Sequence, residues 1–246
     1  MTAVHSVRQR ARVELEQLIK QTAGQHLAES GAAALSLRAV ARELGMASSA
    51  LYRYFPSRDA LLTALVVDAY DAVGDRAEHA DARALAAGAD AGRRWLEVCR
   101  AVRRWAADRP HDYALVYGSP VPGYAAPQDT IAPATRLSLV MATVLLAGVA
   151  EGTVRPPTRP LPGPSLVTPA VIELAGGAPR PPYDDLLERS FVLLTALIGT
   201  VSYLQFGHLH TALTDDDAWF DRAMAVAAEG VGLEVPLEAP PTPPAS

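Results

Sequence analysis

Residues 35–61 read LSLRAVARELGMASSALYRYFPSRDAL. Ser36 is a helix N-cap, and Leu37, Val40, Ala41 and Leu44 follow it at helical spacing. Gly45 stops that helix. A second, short helix is predicted from about Ser48 to Tyr54, before Pro56 and Ser57 interrupt the pattern. Ser57 caps the next helix, with Asp59 in its first turn facing the positive helix end. Two short helices joined by a glycine turn must cross closely. The first then needs a small residue at the crossing, the turn needs a left-handed backbone, and the second helix needs an apolar anchor facing back. Ala41, Gly45 and Leu51 supply these in order, which predicts a helix-turn-helix unit.

The same stretch has the chemistry of a DNA reader. Ser48 and Ser49 are small and polar, so they let a helix N-terminus sit deep in a major groove. Tyr52, Arg53, Tyr54 and Arg58 follow, and tyrosine hydroxyls and arginines are common phosphate contacts. Arg38, in the first turn of the preceding helix, is placed to reach a base edge or a phosphate, and Ser36 stands beside it. Charge agrees. The chain is −5 overall, but residues 1–60 hold eight basic and five acidic residues and are therefore +3.

Outward from this unit the pattern stays helical. Val7, Ala11, Leu15, Leu18, Thr22 and Leu27 predict a first helix over about 4–29, ended by Gly31. After 57, further helices are expected over 91–107, 112–117, 134–151, 183–209 and 215–230. Residues 151–182 carry nine prolines and read as an irregular loop with one short helix at 168–175. The fold class is all-α: an N-terminal helix-turn-helix domain over 1–60, a larger helical domain over 61–233, and a Pro-rich tail, expected to be disordered, over 234–246.

Several function classes fall away. The apolar runs 137–150 and 191–207 read as buried helices, the first too short to span a bilayer and the second interrupted by Thr195, Thr200, Ser202 and Gln205, so no membrane is expected. The N-terminus has no signal-peptide core, and the single Cys99 reads as a buried apolar residue, which fits a cytoplasmic protein. His208 and His210 are two apart and point to different helix faces, so no metal is expected there. No Ser-His-Asp arrangement or phosphate loop stands out, so no enzyme activity and no cofactor are expected.

The stretch 35–45 followed by 50–61 resembles the N-terminal domain of TetR-family transcriptional regulators over about residues 5–60. That resemblance implies that Tyr52, Tyr54 and Arg58 contact phosphate and that the recognition helix starts near 48. Tyr54 stands where histidine is usual, Arg58 where lysine is usual, and Ala47 where a capping serine or threonine is common. Either Ser48 caps instead or the helix start is weaker. The segments Trp105-Ala106, Arg109 to Tyr113 and Gly118 to Tyr124 are similar to a TetR-type C-terminal domain named for a Trp-His-Gly motif, of which Leu194 to Gly199 keeps the glycine.

The resemblance implies a ligand-responsive homodimer whose last two helices form a four-helix interface. It would bind a double-stranded, pseudopalindromic operator and act as a repressor. Trp95, Trp105, Tyr113 and Tyr117 are the aromatic candidates for the effector pocket. The scarcity of interior arginine points to a small, largely apolar effector. A DNA-binding protein without an effector and a helical enzyme with a vestigial head are the competing readings. For the dimer, Phe191, Leu194, Leu197, Ile198, Val201 and Leu204 form one apolar stripe expected to face the symmetry mate.

Overall fold

A computed structural model describes residues 2–237, with side chains from Val7 onward except that of Arg8. Ten α-helices follow one another in these residues: α1 (Thr2–Ser30), α2 (Leu37–Glu43), α3 (Ser48–Leu51), α4 (Arg58–Ala86), α5 (Ala91–Asp108), α6 (Pro110–Tyr117), α7 (Ile131–Glu151), α8 (Pro169–Leu174), α9 (Leu186–Gln205) and α10 (Asp216–Glu229). The all-α class expected from the sequence holds, with two short 3-10 turns and a single backbone bridge, Val154 to Leu233, among the described residues. The helices divide into two compact units, one of residues 1–72 with 109–134 and one of 73–108 with 135–246. The division falls inside α4. Segment 109–134, distant in sequence from the head, thus folds with it.

The head unit is built on Ile19, Ala23, Leu27, Leu35, Leu37, Val40, Ala41, Leu51, Phe55, Leu61, Leu62 and Leu65, all buried together. On α1 the inward stripe is Ile19, Thr22, Ala23 and Leu27; Thr22 and Leu27 belong to the expected stripe, whereas its Val7 and Leu18 are 63% and 46% exposed. The shift has a simple cause. Positions 19, 23 and 27 are four apart and meet α2, whereas the first turns of α1 extend past the head core. Leu115, Val121 and Tyr124 of the second segment pack against the same core, and Thr63 and Tyr124 share a hydrogen bond of 3.0 Å.

In the other unit α5 packs on α9 and α10. Its apolar face is buried as expected, with Trp95, Val98, Val102 and Trp105 nearly inaccessible. The Trp95 indole N–H donates to the carbonyl of Met224 on α10 at 3.2 Å. Arg94 is also buried, because its guanidinium donates two bonds to Asp81 of α4 at 2.7 and 3.0 Å. Cys99 is fully buried, and burial pushes its thiol well above the ordinary range, so it stays a protonated core residue.

Helix ends differ from the expected ones where backbone signals outrank periodicity. α7 starts at Ile131, with Pro133 accommodated in its first turn, where no intrahelical N–H is needed. α9 ends at Gln205 rather than near Leu209, since Gly207 takes a φ of 75° and the His208 N–H turns back to the Tyr203 carbonyl at 2.9 Å. The Pro-rich loop contains α8, at the expected place. Of the expected tail, residues 238–246 lie outside the described residues. Glu234 pairs with Arg155 at 2.8 Å, and its carbonyl oxygen lies 2.0 Å from where a Cβ on Gly92 would stand.

Candidate nucleic-acid interface

The reading unit is assembled from caps and one glycine. The Ser36 hydroxyl accepts from the Ala39 N–H at 3.4 Å and starts α2. At the other end Gly45 sits at φ 64°, the Met46 N–H returns to the Ala41 carbonyl at 2.8 Å, and the Gly45 N–H returns to the Arg42 carbonyl at 3.2 Å. This pair of bonds is the Schellman ending, and it needs a left-handed residue at 45. The chain then turns into α3, whose Leu51 is fully buried with Ala41 and Val40. Ser57 caps α4 by accepting from the Ala60 N–H at 3.0 Å.

α3 itself is shorter than the expected 48–54 helix. Only Ser48–Leu51 are α-helical, and Tyr52 to Tyr54 continue as a hydrogen-bonded turn, the Tyr54 N–H bonding to the Leu51 carbonyl at 2.9 Å. Pro56 lies just beyond and cannot extend a helix. The choice at its start is also resolved. Ala47 occupies the N-cap position with no side-chain cap, and Ser48 is the first helical residue. The Ser48 hydroxyl is therefore not spent on capping.

The candidate DNA contacts fall in three groups. Arg38, Ser49, Tyr52 and Arg53 are exposed, and Ser48 is half-buried. Arg38 and Arg53 carry no ion pair among the described residues. Ser36 is half-buried and its hydroxyl is engaged in the cap. Tyr54 and Arg58 are half-buried and already partnered. The Arg12 guanidinium lies 5.8 Å from the Tyr54 ring centre, and Arg58 donates to the Ala32 carbonyl at 2.8 Å and to Asp59 at 3.2 Å. Arg12 was not singled out for the site; its signal was only the run of arginines at 8, 10 and 12.

The four aromatic candidates for an effector separate. Trp95 and Trp105 are core residues of α5 in one unit. Tyr113 and Tyr117 belong to the other, where Tyr117 packs against Tyr113 at 5.3 Å and edge-on against Tyr70 at 6.0 Å. Burial, then the neighbouring Tyr70 and Tyr113, raises the Tyr117 phenol, so it remains neutral. A cleft of about 100 Å³ lies elsewhere, between α7, α8 and α9. Leu139, Met141, Val171, Leu174, Phe191 and Leu194 give it an apolar lining, and Thr135, Ser138 and Ser190 add hydroxyls. The loop that carries α8 is fastened to the start of α9. Asp185 accepts from the Leu161 N–H at 2.9 Å, and Arg189 donates to the Arg159 carbonyl at 2.6 Å.

A buried core shared by α1, α2, α3 and the start of α4, with small polar and cationic side chains outward at α3, defines a helix-turn-helix DNA-binding protein. Residues 19–65 match the profile described as bacterial regulatory proteins, tetR family, and residues 95–227 match the one described as tetracyclin repressor-like, C-terminal domain. The chain belongs to the TetR family of transcriptional regulators. It is 40% identical over 220 residues to the HTH-type transcriptional regulators Rv1816 of Mycobacterium tuberculosis and Mb1846 of Mycobacterium bovis, covering 87% of this chain and 91% of each relative. Among solved structures, the regulatory protein SCO4313 aligns with a TM-score of 0.69 at 31% identity, over 90% of this chain and 98% of that one. A tetR-family regulatory protein from Rhodococcus RHA1 shares the fold with a TM-score of 0.59 at 17% identity, over 89% and 97% of the two chains.

Proposed function

We propose that the protein is a ligand-responsive repressor that binds a pseudopalindromic operator as a cytoplasmic homodimer and carries no catalytic activity. The observation that carries this reading is the outward array on α3 and the turn after it. Ser48, Ser49, Tyr52 and Arg53 are accessible beside a buried core that holds Leu51, Val40 and Ala41. In this reading Ser48 and Ser49 approach base edges, Tyr52, Tyr54 and Arg58 hold phosphates, and Arg38 and Arg53 supply the remaining cationic contacts. Ser36 contributes by fixing the start of α2 beside them.

The dimer reading is supported by the outer face of α9, where Val192, Tyr203 and Phe206 are 67%, 56% and 48% exposed and a Cβ on Gly199 would meet nothing within 4 Å. Large apolar side chains beside an open glycine suit close packing against a second helix. The effector reading is supported by the apolar cleft with three hydroxyls, which suits a small neutral molecule; its modest volume requires that α8 give way on binding. Such a ligand would act only through different affinity for the DNA-bound and free states.

Selection of bound duplexes from a random pool tests the whole reading. Two inverted half-sites with centres about 34–36 Å apart, or a multiple of that, are the expected result. Failure to retain any duplex at low salt would overturn it.

A further inference from the structure

The apolar cleft meets α7 at Thr135, Ser138, Leu139, Met141 and Ala142, all in the first half of that helix. Arg136 belongs to the same stretch but leaves the helix on another side. Its guanidinium holds two carboxylates of α4, donating to Asp75 at 2.5 Å and to Glu78 at 2.7 and 2.8 Å. The backbones also approach closely here. A Cβ on Gly74 would stand 2.9 Å from the Cβ of Arg136, so no compressible side chain at position 74 separates the two helices. Asp75 and Glu78 are exposed, and ion pairs to exposed carboxylates contribute little to stability. A fork across two carboxylates at a close approach of two helices suits a mechanical link better than a stabilising one.

Further along, both helices are fixed. At the end of α7, a Cβ on the buried Gly148 would stand 2.7 Å from Val154 and 2.9 Å from Ala91. The Gly148 carbonyl accepts from the N–H groups of Thr153 and Val154 at 2.8 and 3.0 Å. On α4, Asp81 is held by the buried Arg94 of α5 at 2.7 and 3.0 Å. The first half of α7 borders the cleft instead of a filled core. A group that fills the cleft therefore presses on the part of α7 that has room to turn, with Gly148 as the pivot. Packed helices respond to such pressure by small rigid shifts. Asp75 and Glu78 lie before the fixed point on α4, and the same helix carries Leu61, Leu62 and Leu65 of the head core.

We propose that Arg136 is a positioning residue that couples the cleft to α4. Filling the cleft moves the start of α7, and the fork on Asp75 and Glu78 carries that movement to α4. This rests on the reading of the cleft as the effector site. It assigns the regulation of that site to one cation that belongs neither to the cleft lining nor to the DNA-facing surface. The coupling is the ratio of operator affinities with the cleft empty and filled, and couplings of this kind run from about 5- to 150-fold.

The test fills the cleft from within, using the full-length chain, a selected duplex operator and fluorescence anisotropy at one salt concentration. Ala142→Phe adds a ring to the cleft lining and should weaken operator binding about fivefold or more. Ala142→Leu takes its place if the larger side chain prevents folding, as read from the melting temperature. In R136Q, and separately in D75N/E78Q, the same filling should change operator affinity by less than about twofold, because the coupling is gone. R136K keeps a cation between the two carboxylates without the planar fork and should restore part of the factor. An equal loss on filling with and without Arg136 would overturn the link and leave the cleft as an effector site. No loss on filling with Arg136 in place would remove the link and the regulatory role of the cleft together. Loss of operator binding in R136Q with the cleft empty would also overturn the link, since Arg136 would then hold the binding form itself rather than transmit the state of the cleft.

Discussion

The α2–turn–α3 unit and α9 differ in how much of their packing their own residues dictate. In the first, each key position has one acceptable solution. Gly45 must be left-handed, Ala41 must be small, Leu51 must point back, and Ser36 must precede α2 by one residue; the structure places all four so. α9 is apolar over most of its circumference. The expected outward stripe ran through Phe191, Leu194, Leu197, Ile198, Val201 and Leu204. In the structure Leu197 and Val201, with Leu193, are buried inside the subunit; Phe191 of the expected stripe is exposed, and Val192, Tyr203 and Phe206 are exposed with it. Short elements with special backbone demands leave little freedom, whereas a long apolar helix has a rotational phase that its neighbours set.

The sharpest way to break this comparison is a pair of substitutions on α9. Val201→Arg forces a charge into a site that is 1% exposed and should cost several kcal/mol, with loss of the folded subunit or a steep fall in its melting temperature. Val192→Arg sits at an exposed position and should change subunit stability by less than about 0.5 kcal/mol. It should nonetheless yield monomers by light scattering, with weakened operator binding. A Val192→Arg protein that stays dimeric would move the interface off this face.

A smaller loss is expected from Leu51→Ala, about 2–5 kcal/mol for a fully buried leucine in the head. The three tryptophans of the chain, at 95, 105 and 219, all belong to the other unit. Operator binding should therefore disappear at temperatures where tryptophan fluorescence still reports a folded environment. A single fluorescence transition that moves down with the loss of binding would show that the units unfold as one.

These contrasts explain what could be read in advance. The helix order, the caps at Ser36 and Ser57, the glycine turn and the short helix in the Pro-rich loop are local facts written in local residues. The inward face of α1 holds at Thr22 and Leu27 and departs at Leu18, whose place Ile19 takes, because both are apolar and only contact with the head core separates them. The partners of the interface residues were less legible still. Nothing in the spacing ties Arg58 to Ala32, 26 residues earlier, or Arg12 to Tyr54, and the cleft under α8 requires three helices distant in sequence.

The smallest effect concerns Arg58, where the two kinds of information meet. Its identity points to phosphate, yet its guanidinium already bonds the Ala32 carbonyl and Asp59. Those bonds do not remove its charge; they hold the fork at the junction between the α1–α2 connection and the start of α4, and the side chain stays 29% exposed. Arg58→Ala should therefore do two things at once. It should lower the salt slope of operator binding by about one and weaken all sequences alike. It should also cost about 1 kcal/mol of head stability from the lost bond to a backbone carbonyl. Arg58→Lys separates them, because a lysine restores the charge without the planar fork. Its salt slope should return to the original value while the stability loss largely remains. If Arg58→Ala instead altered sequence preference at an unchanged salt slope, the residue would be reading bases, and the charge at this corner of the head would have to be assigned to Arg53 or Arg38.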